Sequence, residues 1–241
     1  MPLFSEAAKS KNRPVTSATG ARVAAQYRLF LGNKNWSSWS LRPWLALRAT
    51  GAEFEEVFIQ LRGPDTRARI RALTGCDTVP VLQIDEAGTV ETVFDSLAIC
   101  ETLAERHPEA QLWPANASAR GEARSISAAM HSGFAPLRAT LSMEFARTIP
   151  TPELGADVSD DIERIKRFWR NALGRCGRDG DFLFGRFSLA DCMYAPVVSR
   201  FRTYGIALDP ELQAYCDRVF ALPAMRDWFK SSEAEIAAGL S

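Results

Sequence analysis

Histidine is scarce in this chain: its 241 residues include two, His107 and His131. Without a cluster of histidine and cysteine, the usual nitrogen and sulfur ligands of a zinc site are missing, so no metal is expected. The five cysteines (Cys76, Cys100, Cys176, Cys192, Cys216) are scattered, odd in number and without a C-x-x-C pair. That pattern fits free thiols in a reducing compartment better than a disulfide framework. Charge excess is lacking too. Basic and acidic residues total 29 each, which removes the electrostatic footprint of a nucleic-acid binder or of a protein held on an anionic membrane. No apolar run approaches the ~20 residues of a membrane span. The first ~25 residues lack the apolar centre of a secretory signal. No G-x-S-x-G elbow of an α/β-hydrolase is present. These absences leave a globular chain expected in the cytoplasm, long enough for one large domain or two small ones.

What is present is concentrated in Asn35-Trp36-Ser37-Ser38-Trp39-Ser40-Leu41-Arg42-Pro43-Trp44. The apolar run Tyr27 to Leu31 before it reads as a buried strand. Behind it, Trp44, Leu45, Leu47 and Ala49 begin a helical pattern that stops at Gly51. Three hydroxyls therefore fall where a strand turns into a helix. A helix start has unpaired N–H groups and the positive end of the dipole, so it favours anions. Ser38 or Ser40 would serve as N-cap, and Pro43 is tolerated in the first turn. Capping accounts for one serine well and for three poorly.

Residues 1–26 are rich in Ser, Thr, Ala, Lys and Arg, with Glu6 as the only acid. They read as a disordered leader, mildly basic, with an organellar transit peptide as the alternative. After the first strand and helix come a strand at Phe54 to Ile59 and a short arginine-rich helix or loop at Pro64 to Leu73. Thr78 to Ile84 is a strand headed by Pro80, and a cis Val79-Pro80 bond is the natural arrangement there. A turn at residues 85–88 leads to a hairpin partner, Thr89 to Phe94. Asp95-Ser96 then opens an amphipathic helix ending at His107-Pro108. Residues 27–108 thus form one α/β unit, and residues 109–116 read as a linker. From 117 to 241 only helical patterns occur. One runs from Ala119 to about Leu141, broken or kinked at Pro136. Another spans Val158 to Cys176. A third follows the capping box Ser188-Leu189-Ala190-Asp191. Two closing helices cover Asp209 to Leu222 and Ala224 to Phe229.

Four of these motifs together resemble the soluble glutathione transferases. Ser37-Ser38-Trp39-Ser40-Leu41-Arg42 resembles the S-S-C-S-x-R signature of the zeta class. Val79-Pro80 resembles the cis-proline turn, Asp95-Ser96-Leu97-Ala98-Ile99 the acid-Ser-x-Ala-Ile run, and Ser188 to Asp191 the capping box of the helical domain. The resemblance implies a thioredoxin-like N-terminal domain at 27–108 followed by an all-helical C-terminal domain. It implies glutathione as co-substrate, with a serine hydroxyl stabilising its thiolate for attack on a small apolar electrophile. Counting back from Arg42 assigns that role to Ser37, with Ser38 second and Ser40 left as a cap. Val79 and Pro80 would meet the cysteinyl backbone of glutathione, and Asp95 and Ser96 its γ-glutamyl end. Asn35, Trp36, Trp39, His131 and Phe134 would shape the electrophile pocket. A homodimer is implied as well. Two positions depart from the pattern: Thr78 stands where Lys, Arg or Gln often precedes Val-Pro, and Trp39 stands at the zeta-class cysteine. Two rivals remain, an isomerase of the maleylacetoacetate type and a non-catalytic binding module on the same fold.

Overall fold

The structure, a computed structural model, describes residues 25–176 and 180–241. The leader expected at 1–26 lies outside the described residues except for its last two. Strands β1 (Gln26–Gly32), β2 (Phe54–Ile59), β3 (Val81–Glu86) and β4 (Thr89–Phe94) form one sheet in the order β2-β1-β3-β4. β1 and β2 are parallel, so a crossover must join them, and α1 (Ser38–Thr50) supplies it. The other two neighbours are antiparallel. Helices α2 (Thr66–Thr74) and α3 (Ser96–Arg106) complete a thioredoxin-like domain. The helical domain follows: α4 (Ala117–Ser132), α5 (Ala135–Thr140), α6 (Ala156–Cys176), α7 (Leu189–Thr203), α8 (Pro210–Ala221) and α9 (Pro223–Ala237).

Register decides where the chemistry can be. Phe30 pairs with Val81 across β1 and β3, and Val81 pairs with Phe94 across β3 and β4. The end of β1, the start of β3 and the end of β4 therefore share one edge of the sheet. The serine turn, Val79-Pro80 and Asp95-Ser96 extend from those three ends. A one-residue slip would turn Leu29, Leu31, Leu82 and Ile84 out of the core, and each buried aliphatic side chain contributes ~1.5–3 kcal/mol.

The domains share one core. Helix α1 packs on α3 within its own domain and on α7 of the other. The segment expected as a linker is part of this packing: Pro108–Ala110 is a 3₁₀ turn, Leu112 and Trp113 are buried, and the Leu112 carbonyl accepts from Leu189 N–H at 2.8 Å. The helix expected from Ala119 to Leu141 is two. The chain breaks at Gly133 and at Phe134, whose φ of 63° is left-handed, and Pro136 falls in the first turn of α5, where it costs no hydrogen bond. Helix α9 runs beyond the expected Phe229, because buried Trp228 and Ser232 anchor a further polar stretch whose residues favour helix.

Candidate active site

At the end of β1 the Asn33 carbonyl accepts from both Trp36 N–H (3.1 Å) and Ser37 N–H (2.7 Å). The chain doubles back and delivers Ser37 to the start of α1. Ser37 is the N-cap, its Oγ accepting from Ser40 N–H at 3.3 Å. The same hydroxyl donates to Ser40 Oγ at 2.7 Å, and Ser40 Oγ accepts from Gly32 N–H at 3.2 Å. The expectation that Ser40 caps the helix is corrected. Three residues along a helix bring side chains onto one face, so Ser40 ties Ser37 to the end of β1 from inside the protein. Ser40 has a proton of its own. If the Ser37–Ser40 bond reverses, Ser37 Oγ accepts and its O–H is freed for another partner. The Ser38 hydroxyl, at the first helical position, has no hydrogen-bond partner among the described residues.

The Val79-Pro80 peptide is cis, as expected. Pro80 stands just before β3 rather than in it, because a residue without N–H cannot join the ladder. Val79 N–H and C=O make no hydrogen bond among the described residues, which leaves a donor and an acceptor beside the serine turn. Asp95, not Ser96, caps α3: its Oδ1 accepts from Leu97 N–H (2.9 Å) and Ala98 N–H (3.5 Å). Its backbone is left-handed at φ 73°. The second carboxylate oxygen remains 3.3 Å from His131 Nε2 on α4. Ser96, the first residue of the helix, buries a hydroxyl with no partner.

The helical domain closes over this edge. The His131 ring stands edge-on to Trp39, 5.4 Å between centroids. Trp39 also carries Arg42 at 4.2 Å and Arg138 at 4.7 Å from its ring centre, and Arg62 lies 3.9 Å over Trp36. Arg138 and Arg200 are anchored to backbone carbonyls, Arg138 to Gly133 and Met130, Arg200 to Leu141 and Pro196. Arg42 is fully buried, and none of its three guanidinium nitrogens has a hydrogen-bond partner. Burial, then the charges of Arg138 and Arg200, push its pKa well below the ordinary value. Burial likewise holds Arg200 down to about 9. Phe134 packs into the core against Phe168, 6.5 Å between ring centroids, and leaves almost no surface for a ligand. Asn35 is also fully buried, its amide nitrogen and oxygen each bonded to the helical domain, so neither residue offers surface to a pocket. A groove of about 1070 Å³ between α7, α8 and α9 includes none of the residues at the sheet edge.

The family models for the glutathione S-transferase N-terminal domain and C-terminal domain match residues 36–106 and 156–231. The chain belongs to the glutathione S-transferase family. Among curated relatives of this transferase, the maleylacetoacetate isomerase of Pseudomonas aeruginosa is 27% identical over 208 residues, 83% of this chain and 93% of that protein. The match to the probable maleylacetoacetate isomerase of Caenorhabditis elegans is 32% identical but spans 42% of this chain and 44% of that one. Among solved structures, glutathione transferase Omega 2S from Trametes versicolor superposes with a TM-score of 0.65 at 21% identity, covering 89% of this chain and 98% of that one. The maleylacetoacetate isomerase of Anaeromyxobacter dehalogenans, solved with glutathione bound, gives 0.58 at 23% identity, covering 87% and 97%.

Three of the four sequence motifs, the serine turn, Val79-Pro80 and Asp95-Ser96, meet at one end of the sheet, and the fourth, Ser188 to Asp191, starts α7 in the helical domain. Phe134 belongs to the core. Arg42 and Ser40, which a sequence reading takes for a motif end and a cap, sit instead beneath the site. The signal for Ser40 was its i, i+3 spacing from Ser37. Among the described residues no helix is long and apolar enough to cross a membrane.

Proposed function

We propose that this chain binds glutathione at the shared sheet edge and uses a serine hydroxyl to keep its sulfur ionised for attack on a small apolar electrophile. One observation carries the reading: hydrogen-bonding capacity left unspent at a single edge. It comprises the Ser38 hydroxyl, the Val79 backbone and the buried Ser96 hydroxyl. Val79 would pair with the backbone of the cysteinyl residue as a one-residue strand addition. Asp95 Oδ2 suits the γ-glutamyl ammonium. Ser96 and the start of α3 suit its carboxylate. Glutathione's thiol resembles free cysteine, with a pKa of ~8.5, so it is mostly protonated at neutral pH. A donated O–H and the start of α1 favour the thiolate. Ser37 is the proposed donor, supported from behind by Ser40. Trp36, Trp39 and His131 would border the electrophile.

The test is a pH titration of the thiolate absorbance of bound glutathione, run with a conjugation assay on the wild type, Ser37→Ala and Ser38→Ala. Loss of the donor should raise the thiol pKa by ~1–2 units and lower turnover at neutral pH roughly ten- to a hundred-fold. If both variants titrate and turn over like the wild type, the serine reading is wrong. The names of the curated relatives favour a second reading, isomerisation with glutathione as cofactor, although Trp39 replaces the signature cysteine. A maleylacetoacetate assay on the same sample separates the two. Tight calorimetric binding of glutathione without a thiolate band or turnover would point to a non-catalytic module. The remaining partner is taken to be a second copy of the chain. Phe94 and Val90 on edge strand β4 are 63% and 53% exposed, and exposed apolar side chains on a sheet edge invite pairing. A cytoplasmic setting suits an odd, scattered set of cysteines without a C-x-x-C pair.

A further inference from the structure

The turn that delivers the serines is held from outside its own domain. From Lys34 to Ser37 every backbone polar group has a partner. Two N–H groups, those of Trp36 and Ser37, and two carbonyls, those of Trp36 and Ser37, are satisfied locally. The other four reach the helical domain. Lys34 N–H and Asn35 N–H both donate to the Glu235 carboxylate on α9, at 2.9 and 3.3 Å. The Lys34 carbonyl accepts from Trp228 Nε1, also on α9, at 2.8 Å. The Asn35 carbonyl accepts from Phe145 N–H at 3.1 Å. The Asn35 side chain adds two more ties, donating to Glu144 Oε2 at 2.7 Å and accepting from Ala146 N–H at 3.1 Å.

We infer that Glu235 is a positioning residue for the serine turn, acting through the Lys34 and Asn35 amides, so that α9 sets where the Ser37 hydroxyl stands. The two amides share one carboxylate. Charge-assisted bonds of this kind are roughly twice as strong as neutral ones, and a side chain on a helix of about four turns anchored by buried Trp228 is a rigid support. The turn has no hydrogen-bonded sheet neighbour that could replace Glu235, because β1 ends at Gly32. A shift of about 1 Å in a reacting group can cost on the order of a hundredfold in rate. This inference rests on the proposed function only for the identity of the group being positioned.

The variant is Glu235→Gln, whose amide offers one acceptor to two donors. Its control is Met225→Ala, which removes a buried side chain of α9 that takes no part in the hydrogen bonds to the turn. Three readouts are taken on each full-length protein: amide hydrogen exchange of the peptide covering 33–40, the thermal midpoint, and glutathione-dependent kinetics with the thiol pKa. Glu235→Gln should speed exchange in 33–40 and lower kcat roughly ten- to a hundred-fold. The KM for glutathione should change less than about twofold, because its proposed contacts lie at Val79, Asp95 and Ser96. Met225→Ala should lower the thermal midpoint at least as much while leaving exchange in 33–40 and the thiol pKa unchanged. Unchanged exchange in Glu235→Gln, or the same losses in Met225→Ala, would overturn the inference. The exchange arm needs no glutathione. A wild type without glutathione-dependent turnover would therefore refute the proposed function while leaving this test decidable.

Discussion

At Arg42 a guanidinium has given up its water without gaining an acceptor, and what it meets instead is the face of Trp39. A buried cation without a hydrogen-bonded partner costs several kcal/mol, and an apolar side chain of similar length often restores ~1–4 kcal/mol. Arg42→Met is therefore expected to stabilise the free protein against urea by an amount in that range. A destabilisation of similar size would mean that the Trp39 ring and Asp95 already compensate the charge. Residue by residue, the sequence marked where the chain turns more readily than what each side chain bonds. Ser37, Val79, Pro80, Asp95 and Ser96 were legible because each marks a chain direction change, and such changes have local signatures. The split of labour between Ser37 and Ser40 depends on which hydroxyl faces Gly32 N–H, a contact across eight residues that no spacing rule encodes.

Among the elements, α7 rests on Asp191. The capping box expected from Ser188 to Asp191 is present, with Ser188 N–H donating to Asp191 Oδ2 at 2.8 Å and the Ser188 hydroxyl at 3.0 Å. The other carboxylate oxygen accepts from Leu183 N–H at 3.2 Å and from the Tyr215 hydroxyl of α8 at 3.1 Å. One side chain thus joins a turn, a helix start and a second helix. Burial nevertheless outweighs these four donors and pushes the Asp191 carboxyl up to about 6 from 3.8. A folded-state pKa above the unfolded one contributes stability that is complete below about pH 4 and lost as pH rises through 6. At ~1.36 kcal/mol per unit, that swing is about 3 kcal/mol. Asp191→Asn should remove it, so the gap in unfolding free energy between wild type and variant should widen by up to ~3 kcal/mol from pH 7 to pH 4. A gap that stays constant across denaturation curves in that range would show the carboxylate to be ionised throughout. The box was readable because its four residues are contiguous. The break between α4 and α5 was placed too late because Pro136 is the louder signal, whereas the bend lies at Gly133 and Phe134.

For the whole molecule, two amphipathic patterns told the domain order: alternation and short strands first, helical periodicity afterwards. The supposed linker at 109–116 was misread, since Trp113 in a polar, proline-flanked stretch looks like a surface residue until Glu101 accepts its indole N–H at 2.9 Å. One face of the molecule stays apolar and open, at Phe94 and Val90. Sedimentation of the wild type at micromolar concentration is expected to give twice the chain mass, and Phe94→Glu to move it toward the monomer. A wild type that sediments as a monomer would remove the second copy from the proposed function. The shared closure of the serine turn has a consequence for biosynthesis. Translation makes that turn 194 residues before Trp228 and 201 before Glu235, which complete its bonding. The serine corner is thus made early and finished late, and a nascent chain stalled before α9 would carry its serines without a fixed place to hold them.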